Sequence, residues 1–335
     1  MATPFGRYQE IWFFAMAQRF EVLRGLFGLL PTPYGEDLEI HTCDLRAAAD
    51  FCCRSGQHGI VWPVMVGEFY FLGEEERVSN LDAVLEEVNG RIPVVFGCSG
   101  VSVPQTLLFA QAASRAGADA VIAMAPARTD AAAAIDMFHR LGDAFDGPIM
   151  VQNAGGYAPL TGEQIARLVE EVPPIEYVKE ERQPGPKHIA EVKALAGDRI
   201  KTIFGGAAGK FLPDELRRGA EGSMPACEFG DLLTRVIELW WRGDEAGARD
   251  LHRRLLPLIN LENHGFVRYV LKRRGVLKSS GERAPSQALD EADRREISTL
   301  LEAVQEEIET FPFEAERGVC EESPKHRRGE RNGTC

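Results

Sequence analysis

The stretch PIMVQNAGGYAPLTGEQIARLVEEVPPIEYVKE (148–180) holds a short apolar run, a helical pattern and a second short run. The runs PIMVQN (148–153) and IEYVKE (175–180) are mainly apolar before their polar C-terminal ends, with Glu176 the exception, rather than strictly alternating. Strands buried on both faces have this pattern, and a helix between two of them implies a parallel pair. The unit repeats in both directions. Upstream lie RGLFGLL (24–30), GIVWPV (59–64), IPVVFGC (92–98) and AVIAM (120–124); downstream lie IKTIFGG (200–206) and GSMPAC (222–227). Helical stretches such as 45–55, 79–90 and 103–117 separate them. Eight runs over about 200 residues predict an α/β fold, a (β/α)₈ TIM barrel. An open doubly wound sheet would carry a Gly-rich phosphate turn after an early strand, and LPTPYG (30–35) is not one.

After the eighth run the pattern is wholly helical, through LLTRVIELWWRG (232–243), EAGARDLHRRLLPLINLEN (245–263), FVRYVLKRRG (266–275) and EADRREISTLLEAVQEEIETF (291–311). The expected organisation is an N-terminal helical segment over 1–22, the barrel over 23–230 and a C-terminal helical extension over 231–311. A disordered tail is expected over 312–335, where apolar content falls away. Trp240, Trp241, Leu255 and Leu258 read as core of the extension, and Asn260 to His264 as part of it, reaching towards the barrel mouth.

Hydrophobic residues make up 44% of the 335 and charged residues 27%, a globular balance. The net charge of −13 argues against a nucleic-acid or anionic-membrane surface, since phosphates meet no basic field. A small acidic substrate then needs a positive centre inside a pocket, which a buried lysine supplies. Seven cysteines, among them the adjacent Cys52 and Cys53, show no CxxC pair. Their odd, scattered count reads as reduced thiols in the cytoplasm. The seven histidines show no metal spacing, so no metal and no cofactor is expected. The N-terminus lacks the form of a secretory signal, and no apolar run is long enough for a membrane span.

The sixth run carries the chemistry. Alternation places Tyr177, Lys179 and Glu181 on one strand face. If that face is the lumen, a lysine and a carboxylate emerge together at the C-terminal mouth, where barrels of this kind keep their active sites. Desolvation raises the free-amine fraction of such a lysine, and an adjacent carboxylate relays protons. A solvated strand-end ion pair fits the strand equally well, and the strand alone leaves both readings open.

In order and content the segments resemble the dihydrodipicolinate synthase / N-acetylneuraminate lyase superfamily of Schiff-base aldolases. The likeness runs through LLPTPY (29–34), VGEFYFLGEEER (66–77), AGADAVIAMAP (116–126), PIMVQN, YVKEE (177–181), FGG (204–206) and RGAEGSMPA (218–226). The resemblance implies that Lys179 forms the Schiff base with a small 2-keto acid. It implies too that the turn Val66, Gly67 and Glu68, preceded by Met65, receives the substrate carboxylate on its amides, as N–H groups at a helix start do. Gly205 and Gly206 are expected to let substrate approach the backbone, with Asn153 among the binding residues and Arg128 at the mouth. Homodimers or homotetramers are implied as well.

The sequence departs from the aldolases at the proton relay. Gln152 stands where they keep a tyrosine, Met65 and Val66 where a threonine is usual, and Ala127 and Arg128 where another tyrosine would follow. An amide cannot donate and recover a proton as a phenol does. Dehydration needs one carboxylate acting first as base and then as acid, so these losses harm aldol chemistry more. PIMVQN, the K-x-E of strand six and LLPLINLEN (255–263) resemble the 2-keto-3-deoxy-L-arabonate dehydratase branch. The expectation is a lyase that dehydrates a 2-keto-3-deoxy sugar acid, with Lys179, Glu181 and Gln152 as its catalytic residues. A pyruvate-dependent aldolase or synthase is the alternative, and a catalytically silent barrel serving as ligand sensor is the alternative of another class.

Overall fold

The computed structural model describes residues 20–154, 159–283 and 288–308. The tail expected from 312 lies outside them, as does the N-terminal helix except for residues 20–22, which are not helical.

Eight parallel strands close into a barrel in sequential order. They are β1 (Gly25–Leu29), β2 (Gly59–Trp62), β3 (Val94–Gly97), β4 (Ala120–Ala123), β5 (Ile149–Asn153), β6 (Ile175–Glu180), β7 (Thr202–Gly205) and β8 (Gly222–Ser223). Pairing of Gly25 with Gly222 joins the last strand to the first. One helix follows each strand: α1 (Thr42–Arg54), α2 (Glu74–Val88), α3 (Val103–Ala116), α4 (Ala131–Ala144), α5 (Gly162–Glu171), α6 (Gly185–Ala196), α7 (Leu212–Arg217) and α8 (Gly230–Trp241). The caps are local. The Thr161 hydroxyl accepts from Gln164 N–H at 3.3 Å, and Gln164 Oε1 accepts from Thr161 N–H at 2.8 Å. This reciprocal box starts α5 directly after the β5 loop.

The barrel ends later than the sequence pattern suggested. α8, assigned to the extension, packs on β1 and fills the eighth position of the helix ring. Closure explains this, because β1 and β8 need the same outer cover as every other strand pair. The extension proper is α9 (Glu245–Ile259), α10 (His264–Arg273) and α11 (Glu291–Glu302). It is tied to the barrel through buried polar contacts. Arg274 forks onto Asp231 at 3.0 and 2.7 Å, and the Lys278 and Ser279 amides donate to Asp44 Oδ2 at 3.0 and 2.8 Å. Leu255 and Leu258 are fully buried, whereas Trp241 leaves 42% of its surface exposed. Trp241 packs instead against His58 and the Arg24 guanidinium. No described helix is long and apolar enough to cross a membrane.

Two hydrophobic layers result. A large one fills the space between strands and helices. A smaller one, including Phe27, Met150, Tyr177 and Phe204, fills the lumen. Phe27 and Phe204 meet edge to face, with centroids 5.2 Å apart. This apolar plug is the floor on which the site rests, and it keeps water from reaching the site from below.

Candidate active site

Lys179 follows Tyr177 by two residues on β6, so it points into the lumen one step above the plug. Its register partners are Gln152 on β5 and Phe204 on β7. The side chain is 3% exposed, and Nζ lies 3.0 Å from Glu181 Oε1. Gln152 donates through Nε2 to Glu181 Oε2 at 2.7 Å, and Ala207 N–H donates to Glu181 Oε1 at 3.4 Å. Lys179, Glu181 and Gln152 thus form one hydrogen-bonded group at the C-terminal mouth. A strand-end pair in solvent would not have a lysine this deeply enclosed. Burial alone would push the Glu181 carboxyl up. The Lys179 charge, the Gln152 and Lys179 hydrogen bonds and the Ala207 amide outweigh it and hold the carboxyl below the usual carboxylate range.

The turn after β2 is built differently from a simple helix start. Glu68 takes a left-handed backbone (φ 53°) and its N–H closes on Met65 O at 2.9 Å. Its side chain is buried and accepts from Arg268 Nη1 of α10 at 2.7 Å. Thr32, at the end of β1, donates its hydroxyl to Gly67 O at 2.6 Å and accepts from Trp62 Nε1 at 3.1 Å. Glu68 is therefore one half of a buried ion pair that ties the turn to the extension. Met65 packs against Phe69, Met124 and Ala154, an apolar patch where a lyase of this superfamily would keep a threonine. Val66 packs between the two layers.

Asn153, Gly205 and Gly206, expected to meet substrate, have partners within the protein. Asn153 lies on the outer face of β5. Its amide donates to Leu160 O at 3.0 Å and Glu180 Oε2 at 2.7 Å, and its Oδ1 accepts from Leu160 N–H at 2.8 Å. It anchors the β5 loop to β6, because adjacent strand residues face opposite ways. The space beside Gly205 and Gly206 is taken by side chains of the protein. A Cβ on Gly205 would lie 2.0 Å from Glu215 Oε2, and one on Gly206 would lie 2.5 Å from Glu181 Cγ. The missing side chains make space for two carboxyl groups of the protein itself. Arg128 is exposed on its loop.

Further carboxyls around the mouth were not singled out from sequence. Glu262, in the turn between α9 and α10, is pushed up to about 7 by burial; Lys210 and Lys179 oppose this and Glu181 adds to it. The extension therefore reaches the field of the lysine, as Asn260 to His264 suggested. Glu228, directly after β8, is buried and raised well above its ordinary value by that burial and by Glu262. Glu180 on the outer face of β6 is raised to about 7 by burial, against the Asn153 and Arg182 N–H bonds. Glu215 on α7 is raised to about 8 by burial, against the bond from Gly206 N–H. Helical spacing held a signal for Glu215. It shares the buried stripe of Leu212 and Leu216 at i+3 and i−1, where a charged residue is out of place.

An enclosed amine, one carboxylate held against it by three donors and an amide in place of a phenol suit carbonyl addition followed by proton transfer at the neighbouring carbon. Residues 22–304 match the model of the Dihydrodipicolinate synthetase family. Among curated proteins, an L-2-keto-3-deoxyarabonate dehydratase of Azospirillum brasilense is 29% identical over 287 residues, covering 83% of this chain and 93% of that enzyme. A 4-hydroxy-tetrahydrodipicolinate synthase of Neisseria meningitidis serogroup B is 28% identical over 296 residues, covering 78% of this chain and all of that enzyme (100%). Among solved structures, dihydrodipicolinate synthase from Rhodopseudomonas palustris superposes with a TM-score of 0.79 at 26% identity, covering 86% of this chain and 99% of that one. The chain belongs to the dihydrodipicolinate synthetase family and is a lyase of the Schiff-base type.

Proposed function

We propose that the enzyme dehydrates a 2-keto-3-deoxy sugar acid, with 2-keto-3-deoxy-L-arabonate as the nearest model substrate. The observation that carries this reading is the single carboxylate beside the amine, with Lys179 Nζ 3.0 Å from Glu181 Oε1 and Gln152 holding the other oxygen. The free amine of Lys179 adds to C2 and water leaves, giving an iminium that acidifies C3. Glu181 removes a C3 proton, and the electron pair forms the C3–C4 double bond. The C4 hydroxyl departs as water, taking the proton that Glu181 carries. Hydrolysis of the iminium returns lysine and an unsaturated 2-keto acid. The turn of Met65, Val66, Gly67 and Glu68 holds the substrate carboxylate; the Gly67 amide has no acceptor among the described residues and is available to it.

The A. brasilense relative supports dehydration by name, and the Gln152 substitution supports it by chemistry. The synthases among the relatives favour a second reading, condensation or cleavage through the same lysine. Borohydride trapping with a panel of 2-keto-3-deoxy acids, followed by product identification by mass, separates them. Loss of water from the substrate supports the proposal. Pyruvate plus an aldehyde supports the aldolase, and the absence of any adduct at Lys179 removes both. We place the enzyme in the cytoplasm as a homo-oligomer: the described cysteines form no disulfide, and Tyr70 and Phe71 expose aromatic surface beside the carboxylate turn.

A further inference from the structure

Glu215 sits directly behind the catalytic pair, on the other side of one strand of backbone. The Glu215 carboxyl accepts from Gly206 N–H, while the next amide, Ala207 N–H, donates to Glu181 Oε1 at 3.4 Å. Consecutive amides of one turn thus point to two carboxyls on opposite sides. Both glycines are needed for this, since a side chain at either would strike Glu215 or Glu181. The turn is itself conformationally costly, because Ala207 and Ala208 both take left-handed backbone (φ 48° and 60°). Non-glycine residues hold such angles only where the surroundings enforce them. Glu215 is 1% exposed, and its Oε2 has no partner among the described residues.

We propose that Glu215 is a positioning residue, a buried neutral acid that holds the Gly206–Ala207 turn so that the Ala207 amide meets Glu181. The inference rests on the Schiff-base reading of Lys179 and adds a residue that acts through Glu181. The charged groups that face it are Glu181 and Lys179 from β6 and Asp214 from its own helix. At the start of α6 a Cβ on Gly185 would lie 3.7 Å from Glu215 Oε1, while Lys187 is exposed and His188 pairs with Glu191 at 2.9 Å. From α9, His252 is engaged with Gly209 O at 2.8 Å. Nothing cationic is available to Glu215 that Glu181 does not already hold. Ionisation of Glu215 therefore sets a second negative charge behind the first. That charge repels the Glu181 carboxylate and disfavours its ionised form.

The test is kcat/KM from about pH 6 to about pH 10 for the wild type, Glu215→Gln and Glu215→Ala, with borohydride trapping at each point. Glutamine reproduces the neutral acid, so E215Q should stay within about threefold of wild type near pH 7. It should also lose the wild-type decline that sets in near pH 8. E215A frees the turn and should lower kcat by about tenfold or more, with trapping retained. An E215Q profile that keeps the decline overturns the proposal, as does an E215A variant with wild-type kcat. Should E215Q fail to fold, infrared titration of the wild type decides. A protonated-carboxyl band persisting to about pH 8 supports the inference, and its absence at neutral pH overturns it. Failure of the wild type to trap any 2-keto acid would instead remove the Schiff-base reading on which all of this stands.

Discussion

In the proposed dehydration Glu181 acts first as base and then as acid within one turnover. Its depressed carboxyl is ionised at neutral pH and ready to take the C3 proton. Once the C3 proton has moved to Glu181, the same carboxyl is the acid that hands it to the departing C4 hydroxyl. Glu181→Gln should then leave borohydride trapping intact and lower kcat by roughly 10²–10⁴, the usual worth of a positioned acid–base group. Turnover within a few-fold of wild type would remove Glu181 from the mechanism. Gln152 controls the same carboxyl from the other oxygen. Removing its donor in Gln152→Ala should raise the Glu181 carboxyl, because hydrogen bonds to the ionised form are what depress it. The acid limb of the kcat/KM profile should move to higher pH by a measurable fraction of a unit. A limb that does not move would mean that Gln152 touches substrate without tuning the base.

At the scale of the elements, the carboxylate turn is held by the extension as much as by the barrel. Arg268 on α10 is wholly buried, and its charge is matched by Glu68 in a turn some 200 residues earlier. Arg268→Met leaves a carboxylate buried without its partner, a loss of about 3–5 kcal/mol in buried pairs of this kind. Denaturant unfolding should show that destabilisation. If the turn holds the substrate carboxylate as proposed, folded R268M protein should show a raised KM, with kcat lowered less. Equal stability of R268M and wild type would make the pair dispensable. Elements of this kind also divide what the sequence could reveal from what it could not. The eight strands and the Lys179–Glu181 face follow from apolar runs and two-residue alternation, which are local. Asn153 was misread because one residue of register turns it from the lumen to the helix layer. The Arg268–Glu68 pair and Glu262 depend on where the extension lands, and no local pattern carries that. The eighth helix looked like extension because a helix pattern alone does not show which strand it covers.

For the whole molecule, the consequence is an unusual dependence of stability on pH. Glu215 carries a folded value of about 8, against about 4.3 for a glutamate in an unfolded chain. The folded state therefore holds this proton more tightly than the unfolded chain does. Its favourable share is complete below about pH 4, shrinks as pH rises, and is exhausted at about pH 8. By pH 7 that loss amounts to roughly 4 kcal/mol, at about 1.4 kcal/mol for each pH unit above the unfolded value. Glu180 and Glu262, both raised to about 7, slope the same way. Glu181 slopes the other way, because its carboxyl is depressed; its share is present above the unfolded value and is lost only in acid, as pH falls through its folded value. Depressed carboxyls change only in acid, so from about pH 5 to about pH 8 the raised ones, opposed by His58 and His252, which burial lowers, should make wild-type stability fall. In Glu215→Gln one of those slopes is gone. Thermal melts of the two proteins should coincide near pH 4 and separate towards pH 8, with E215Q the more stable. A constant offset across that range would show that Glu215 is ionised throughout and that the turn is held by a charge, not by a neutral acid. The buried acids around the Lys179–Glu181 pair are thus what the fold gives up stability to keep.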